Sequence, residues 1–550
     1  MSKFFMNTRN ALVNDAIEGT IVGSRWQNLV QLDVDPFIRV VVRKEWQKDR
    51  VALISGGGSG HEPAHVGFVG KGMLTAAVCG DIFASPSVDA VLSAILAVTG
   101  EPGCLLIVKN YTGDRLNFGL AAEKAKRLGY RVELVMVDDD ISLPDNKQPR
   151  GIAGTALIHK IAGYAAEQGL TLAEVTALAQ KAIGATASIG VAMTGCNLPE
   201  EEGGAARIKD GHVELGLGIH GEPGAQTLPT VNSRELIQVM VDKLSAHLPA
   251  QGPVAALINN LGGVSPLEMS VLTKELVHSP LRDRLSYLIG PAPLVSALDM
   301  KGFSLSLLAL DATLTTALLA EVETAGWQPA VRWQPLTRQQ AANPRQTTRV
   351  TPSVNARTGN IIDVVTETLL TLENELNRLD SLVGDGDTGT TFAAGAREIA
   401  TLNREGQLPQ DDPAALLTLI GDKLATIMGG SSGVLMSIFF TAAGQQVAEG
   451  QPLAQALLAG LQQMKHYGGA ERGDRTLIDA LQPALEALAE GADLRHAADA
   501  ARAGADATAA MDKANAGRSA YLNSDNLTGH KDPGAYAIEK AFANLAAQAG

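Results

Sequence analysis

Three aspartates crowd one short stretch of this chain, LDSLVGDGDTGTT: Asp380, Asp385 and Asp387. Carboxylates that close repel one another unless a cation sits among them, and an all-oxygen donor set suits a hard ion such as Mg²⁺. Thr388, Gly389, Thr390 and Thr391 come next and read as the opening of a helix. Free N–H groups at a helix start, with hydroxyls beside them, favour phosphate. Metal ligands next to a phosphate cradle point to a nucleoside triphosphate. A calcium EF-hand is excluded, because its spacing asks for an acid or amide at 389 and Glu at 396, where Gly389 and Ala396 stand. The remaining alternative is a plain helix-capping turn, which leaves the charge repulsion unanswered.

A second group of reactive side chains lies in three loops of the first half: SGGGSGHEP (55–63), KNYTGD (109–114) and GLGIHGEPG (216–224). The first is not a Walker A loop, since His61-Glu62-Pro63 replace the Lys-Ser/Thr that must follow its last glycine. Its glycines still let backbone N–H groups approach a small polar ligand. The second carries Lys109 and Asp114 at its ends, a pair that an ordinary surface loop leaves solvated. The third imitates a dinucleotide-binding turn, but PGAQTLPT separates its glycines from the next helical pattern, NSRELIQVMVDKL. What it presents instead is His220, a base and nucleophile near neutral pH. A lone histidine serves structure as readily as catalysis, so the residues alone leave both readings open.

Strands and helices must position these loops. Short apolar runs at Val51–Ile54, Cys104–Val108, Arg131–Val137, Ser188–Met193, His212–Leu217 and Val254–Ile258 alternate with amphipathic segments such as Phe118–Leu128 and Leu170–Ile183. That alternation predicts an α/β region over 1–330, with lobes of about 1–185 and 186–330. Ligands of such sheets collect beyond the carboxyl ends of the strands, where the three loops lie. Residues 331–353 are polar, hold three prolines and read as a linker. Residues 354–550 predict an all-α domain, with helical spacing at Ile361–Leu379, Pro413–Met428, Leu453–Met464, Leu477–Glu490 and Ala535–Ala547. Polar insertions, MGGSSG (428–433), RGDRT (472–476), AGRSAY (516–521) and GHKDPGA (529–535), interrupt it and suit a site at one end of a bundle.

At 550 residues the chain needs more than one core. Its net charge of −14 argues against nucleic acid as the main partner. Three cysteines without C-x-x-C fit a reducing, cytoplasmic compartment. The N-terminus lacks a signal-peptide core, and no run of about 18 apolar residues predicts a membrane span.

GGGSGHEP, KNYTGD and GIHGEPG, followed by GDGDTGTT, GGSSG, GDRTLIDAL, AGRSAY and DPGA, closely resemble the ATP-dependent dihydroxyacetone kinases over almost the whole chain. The resemblance implies a bacterial single-chain kinase acting on dihydroxyacetone, and on glyceraldehyde, from Mg-ATP. It implies an ATP domain shaped as an antiparallel helical barrel, and a homodimer. His220 matches the histidine that adds to the substrate carbonyl as a hemiaminal. Gly58, Ser59, Gly60, His61, Lys109 and Asp114 match residues around the triose, with His61 and Asp114 as candidates to polarise or deprotonate the attacking hydroxyl. Asp380, Asp385 and Asp387 match the ligands of two Mg²⁺ ions. Thr388 to Thr391, Ser431, Ser432, Thr476, Arg518, Asp532, Pro533 and Gly534 match the nucleotide contacts. Two alternatives stay open among relatives: an FAD-cleaving FMN cyclase, and a triose-sensing regulator without turnover, against which the intact aspartate triad weighs.

Overall fold

The structure is a computed structural model. It describes residues 4–34, 38–143, 146–199, 208–341, 350–515 and 527–549. The chain divides into two compact units, Met1–Arg338 and Gln339–Gly550.

The first unit holds two sheets. Six strands form the first: β1 (Leu29–Gln31), β2 (Val40–Arg43), β3 (Ala52–Ser59), β4 (Ala76–Ile82), β5 (Cys104–Lys109) and β6 (Val132–Val137), in the order β1-β2-β4-β3-β5-β6. β4, β3, β5 and β6 are mutually parallel, so their carboxyl ends share one edge. The chain leaves β3 toward β4 and leaves β5 toward β6, which opens a crevice between the ends of β3 and β5. Both strands are buried along their whole length, as expected for a sheet covered on both faces.

The second sheet contains β7 (Thr186–Ala192), β8 (His212–Leu215), β9 (Gln226–Pro229), β10 (Val254–Asn260), β11 (Leu285–Ala292), β12 (Gly302–Ala309) and β13 (Val331–Arg332), in the order β13-β11-β10-β12-β7-β8-β9. Among its described strands, only β10 and β11 pair in parallel. β13 is made of the first residues of the polar stretch read as a linker, which pair with Tyr287 and Leu288.

β3 corrects the reading of SGGGSGHEP as a loop, because Gly56, Gly57, Gly58 and Ser59 continue the strand. A Cβ on Gly56 would stand 2.1 Å from the Val78 carbonyl oxygen, and one on Gly58 2.6 Å from the Ala84 nitrogen. The glycines let β4 and the turn after it close onto the strand. They carry no turn of their own.

Beneath β3 and β5 lies a buried histidine pair, His65 Nδ1 to His159 Nε2 at 3.1 Å. Burial first, and the Lys109 charge second, push His159 down to about 3. An unfolded chain takes up that proton near pH 6.5, so acid favours unfolding through this group by about 1.4 kcal/mol per pH unit between about pH 6 and 4. His159→Leu should flatten the pH dependence of unfolding by that amount. All four tryptophans (Trp26, Trp46, Trp327, Trp333) lie in the first unit, so fluorescence-monitored urea unfolding reads it. Equal slopes in the two proteins would show that His159 is charged in the fold.

Among its described residues the second unit is helical apart from its connections. Helices Ala356–Thr371, Thr388–Arg404, Pro413–Ile427, Gly430–Ala448, Leu453–Gly468, Ile478–Ala489, Leu494–Ala509 and Pro533–Ala549 pack each on the next, and the last packs on the first, closing a ring. The predicted helix 361–379 is two helices, Ala356–Thr371 and Glu373–Val383, broken at Leu372. MGGSSG is likewise a helix start rather than a loop, with Ser431 and Ser432 in the first turn of Gly430–Ala448. A Cβ on Gly433 would stand 2.4 Å from the Met428 carbonyl oxygen, so the glycine permits that tight entry. Among the described residues, no helix is long and apolar enough to cross a membrane.

Candidate active site

In the first unit, four aromatic rings meet beyond the ends of β3 and β5. His220 makes edge contacts with Tyr111 (centroids 4.5 Å apart), His61 (4.8 Å) and Phe83 (5.3 Å). His61 stacks on Phe83 at 5.0 Å. Loops separated by more than a hundred residues therefore converge on one imidazole, as the strand-end argument predicts.

The tautomer of each histidine follows from its partner. His61 Nδ1 lies 2.7 Å from the Ser296 carbonyl oxygen, which can only accept, so Nδ1 carries the proton and Nε2 a lone pair. His61 is fully buried, and burial, then the charges of Lys109 and His220, hold it well below the usual histidine range. His220 Nδ1 lies 3.1 Å from Glu222 Oε1, while Glu222 Oε2 accepts the His220 backbone N–H at 3.0 Å. Burial pushes the Glu222 carboxyl up, but its hydrogen bond with His220 and the charge there outweigh this and hold it at about 2. An ionised carboxylate on Nδ1 leaves the His220 Nε2 lone pair available as a nucleophile.

Lys109 and Asp114 are both buried, contrary to a solvated loop pair. A Cβ on Gly57 would stand 3.2 Å from Lys109 Nζ and 3.5 Å from Asp114 Oδ2, so the two heads flank one point above that glycine. Ser85 donates to Asp114 Oδ1. Burial raises the Asp114 carboxyl, with Lys109 pulling the other way, and burial lowers the Lys109 amine. His61 Nε2, Lys109 Nζ and the Tyr111 hydroxyl are buried without hydrogen-bond partners in the structure. Buried polar atoms in that condition mark a place for a polar ligand.

Gly58 and Ser59 lie in β3 and Ser59 Oγ donates to the Gly80 carbonyl at 2.9 Å, so its hydroxyl serves the strand. Gly60 faces the ring of Phe83, which a Cβ there would meet at 2.8 Å. Four partners escaped the sequence reading. Tyr111 and Glu222 stand inside quoted motifs, whereas Phe83 and the Ser296 carbonyl carry no local signal.

In the second unit, ligand atoms of Asp380, Asp385 and Asp387 all lie within 4.8 Å of one another. Asp380 is buried, and its Oδ2 accepts the backbone N–H groups of Gly386, Asp387 and Thr388 at 3.0, 2.9 and 3.1 Å. One carboxylate thereby shapes the turn that presents the other two. Gly386, with φ +83°, allows the turn. This cluster of hard oxygen donors fits Mg²⁺.

Thr388, Gly389, Thr390 and Thr391 open the helix that follows. Asn377 clamps Thr390, accepting its N–H at 3.0 Å and donating to its hydroxyl at 2.9 Å. Asp479 accepts from the N–H groups of Gly473 and Thr476 at 2.6 and 2.8 Å and so shapes the GDRT turn. Asp532 precedes Pro533 and Gly534 at the start of the last helix, and burial raises its carboxyl to about 6 within the fields of Arg475, Asp479 and Asp380. These turns therefore gather at one end of the ring. Arg518 lies outside the described residues.

Comparison with known proteins decides the family. The Dak1 domain model matches residues 24–326 and the DAK2 domain model residues 382–547. A dihydroxyacetone kinase of Citrobacter freundii is 60% identical over 547 residues, covering 99% of both chains. This chain belongs to the dihydroxyacetone kinase family. A crystal structure of the C. freundii kinase in complex with AMP-PNP and Mg²⁺ superposes with a TM-score of 0.84 at 57% identity, covering 100% of both chains. The human triokinase/FMN cyclase is 40% identical over 524 residues, covering 90% of this chain and 89% of its own. The α/β first region and the helical second region are those of this kinase fold.

Proposed function

We propose that this chain is an ATP-dependent dihydroxyacetone kinase that holds the substrate carbonyl on His220 as a hemiaminal and phosphorylates a terminal hydroxyl; glyceraldehyde is a second substrate. The observation that carries the reading is the His220 imidazole, with Nδ1 on Glu222 and its ring against those of His61 and Tyr111, in a crevice where His61 Nε2, the Tyr111 hydroxyl and Lys109 Nζ are buried without partners.

In the addition step the Nε2 lone pair bonds the carbonyl carbon. The π pair passes to oxygen, which takes a proton from a buffer acid, so the adduct gains one proton overall and no hydroxide is left in the site. The ring keeps its Nδ1–H, and its positive charge faces the Glu222 carboxylate. The His61 Nε2 lone pair accepts a hydrogen bond from the new hydroxyl. Asp114, raised by burial and steered by Lys109, takes the proton of the hydroxyl that attacks phosphorus. A covalent bond to carbon selects a ketone or aldehyde over glycerol, which has no carbonyl.

Asp380, Asp385 and Asp387 would hold two Mg²⁺ ions, which offset charge on the transferring phosphoryl group. Thr388 to Thr391, Ser431, Ser432, Thr476, Arg518 and Asp532–Gly534 would line the nucleotide. The same reading makes the chain a cytoplasmic protein and a homodimer, whose doubled mass sedimentation would detect. Purified protein with Mg-ATP and dihydroxyacetone should yield ADP and dihydroxyacetone phosphate in equal amounts. Failure to consume dihydroxyacetone would remove the kinase reading.

A further inference from the structure

His220 sits on a turn, not on a strand or helix, so something must fix it against the first sheet. Gly216 (φ +77°) and Gly221 (φ +82°) bracket the turn and give it no stiffness of their own. Gly218 shows where the stiffness comes from. A Cβ there would stand 2.0 Å from Glu222 Oε2 and 2.6 Å from Arg150 Nη1. The space beside the histidine is thus filled by the protein's own carboxylate and guanidinium, and the substrate does not use it.

Arg150 is largely buried, and its Nε and Nη2 both have polar partners. Its Nε donates to Asp140 Oδ2 at 2.8 Å, and its Nη2 reaches the same oxygen at 2.7 Å. Nη2 also donates to Ser142 Oγ at 3.1 Å and to the Gly216 carbonyl oxygen at 2.7 Å. Asp140 follows β6 of the first sheet and bridges to Ser188 in β7 of the second. One side chain therefore ties the joint between the sheets to the residue that starts the histidine turn.

We infer that Arg150 is a positioning residue for substrate capture: anchored on Asp140, it holds the Gly216 carbonyl and faces Glu222, so that the His220 imidazole stays aimed at the pocket. The inference rests on the role given to His220 above. A planar fork serves Asp140 through Nε while Nη2 serves Ser142 and Gly216, a spread that the single nitrogen of an ammonium matches only in part. Without the fork the turn samples other arrangements, and apparent affinity falls by the fraction of time the competent one is populated.

The test compares full-length wild type, Arg150→Met and Arg150→Lys with [2-¹³C]dihydroxyacetone. The labelled carbon moves from the ketone to the tetrahedral region when it bonds to nitrogen, and steady-state kinetics run alongside. Arg150→Met should weaken the tetrahedral signal and raise KM for dihydroxyacetone about tenfold or more, the cost of a charge-assisted hydrogen bond, with kcat changed less than about threefold. Arg150→Lys should recover part of the loss. Wild-type KM and signal in Arg150→Met overturn the inference. So does a KM rise matched by an equal fall in kcat and an earlier fluorescence transition of the first unit, which marks general damage. Wild type that binds dihydroxyacetone without a tetrahedral resonance overturns the covalent reading of His220, and the KM comparison then decides Arg150 by itself.

Discussion

His220→Ala should abolish the tetrahedral resonance of [2-¹³C]dihydroxyacetone and lower kcat/KM by more than about 100-fold, since a covalent attachment is lost rather than one hydrogen bond. It should also erase most of the preference for dihydroxyacetone over glycerol, because in the proposed site Lys109 donates to, and the Asp114 carboxylate accepts from, hydroxyls that both molecules carry. Asp114→Asn separates the two halves of the chemistry. In the proposed mechanism its carboxylate acts on the attacking hydroxyl and not on the carbonyl, so the adduct should persist while kcat falls by about 10²–10⁴. Carbon NMR reads the adduct and a coupled ADP assay reads turnover. An adduct that survives in His220→Ala would sink the covalent role of this residue.

What could be read from the sequence depended on how far apart the cooperating residues lie. Asp380, Asp385 and Asp387 cluster around one turn, so their spacing alone pointed to a candidate metal site. Lys109, Asp114 and His220 were visible as polar residues at strand ends, where α/β sheets gather ligands. Their partners were not. His61 takes its tautomer from the backbone carbonyl of Ser296, 235 residues away, and any residue type offers a carbonyl. Arg150 reads as one more charge in a polar stretch until the fold sets Gly216 against it. Gly56 to Gly58 misled in the other direction. Glycine usually interrupts strands, yet here it continues one because the neighbouring backbone leaves no room for a Cβ. In the helical unit the period of 3.6 showed the helices, but the break at Leu372 left the apolar pattern intact and so left no trace.

The three aspartates should respond differently to substitution, because in the proposed metal site Asp380 also holds the turn, and the other two do not. Asp385 and Asp387 are exposed, whereas Asp380 is buried under three backbone N–H groups. Asp385→Asn should cut Mg-ATP-dependent turnover by about 10³ or more, the several kcal/mol that a bound cation contributes to phosphoryl transfer. Without Mg²⁺, the same variant should melt slightly above wild type, since one of three mutually repelling carboxylates is neutralised. Asp380→Ala should lose turnover and melt below wild type, because three N–H groups lose their acceptor. Circular dichroism at the helical band follows both units, with the larger share from the second, and tryptophan fluorescence reads the first unit separately. Adding Mg-ATP should raise the wild-type transition, as any ligand of the folded state does, and leave that of Asp385→Asn nearly unmoved. Wild-type turnover in Asp385→Asn, or equal Mg-ATP stabilisation in both proteins, would remove this residue from the metal site and leave the turn as a helix cap.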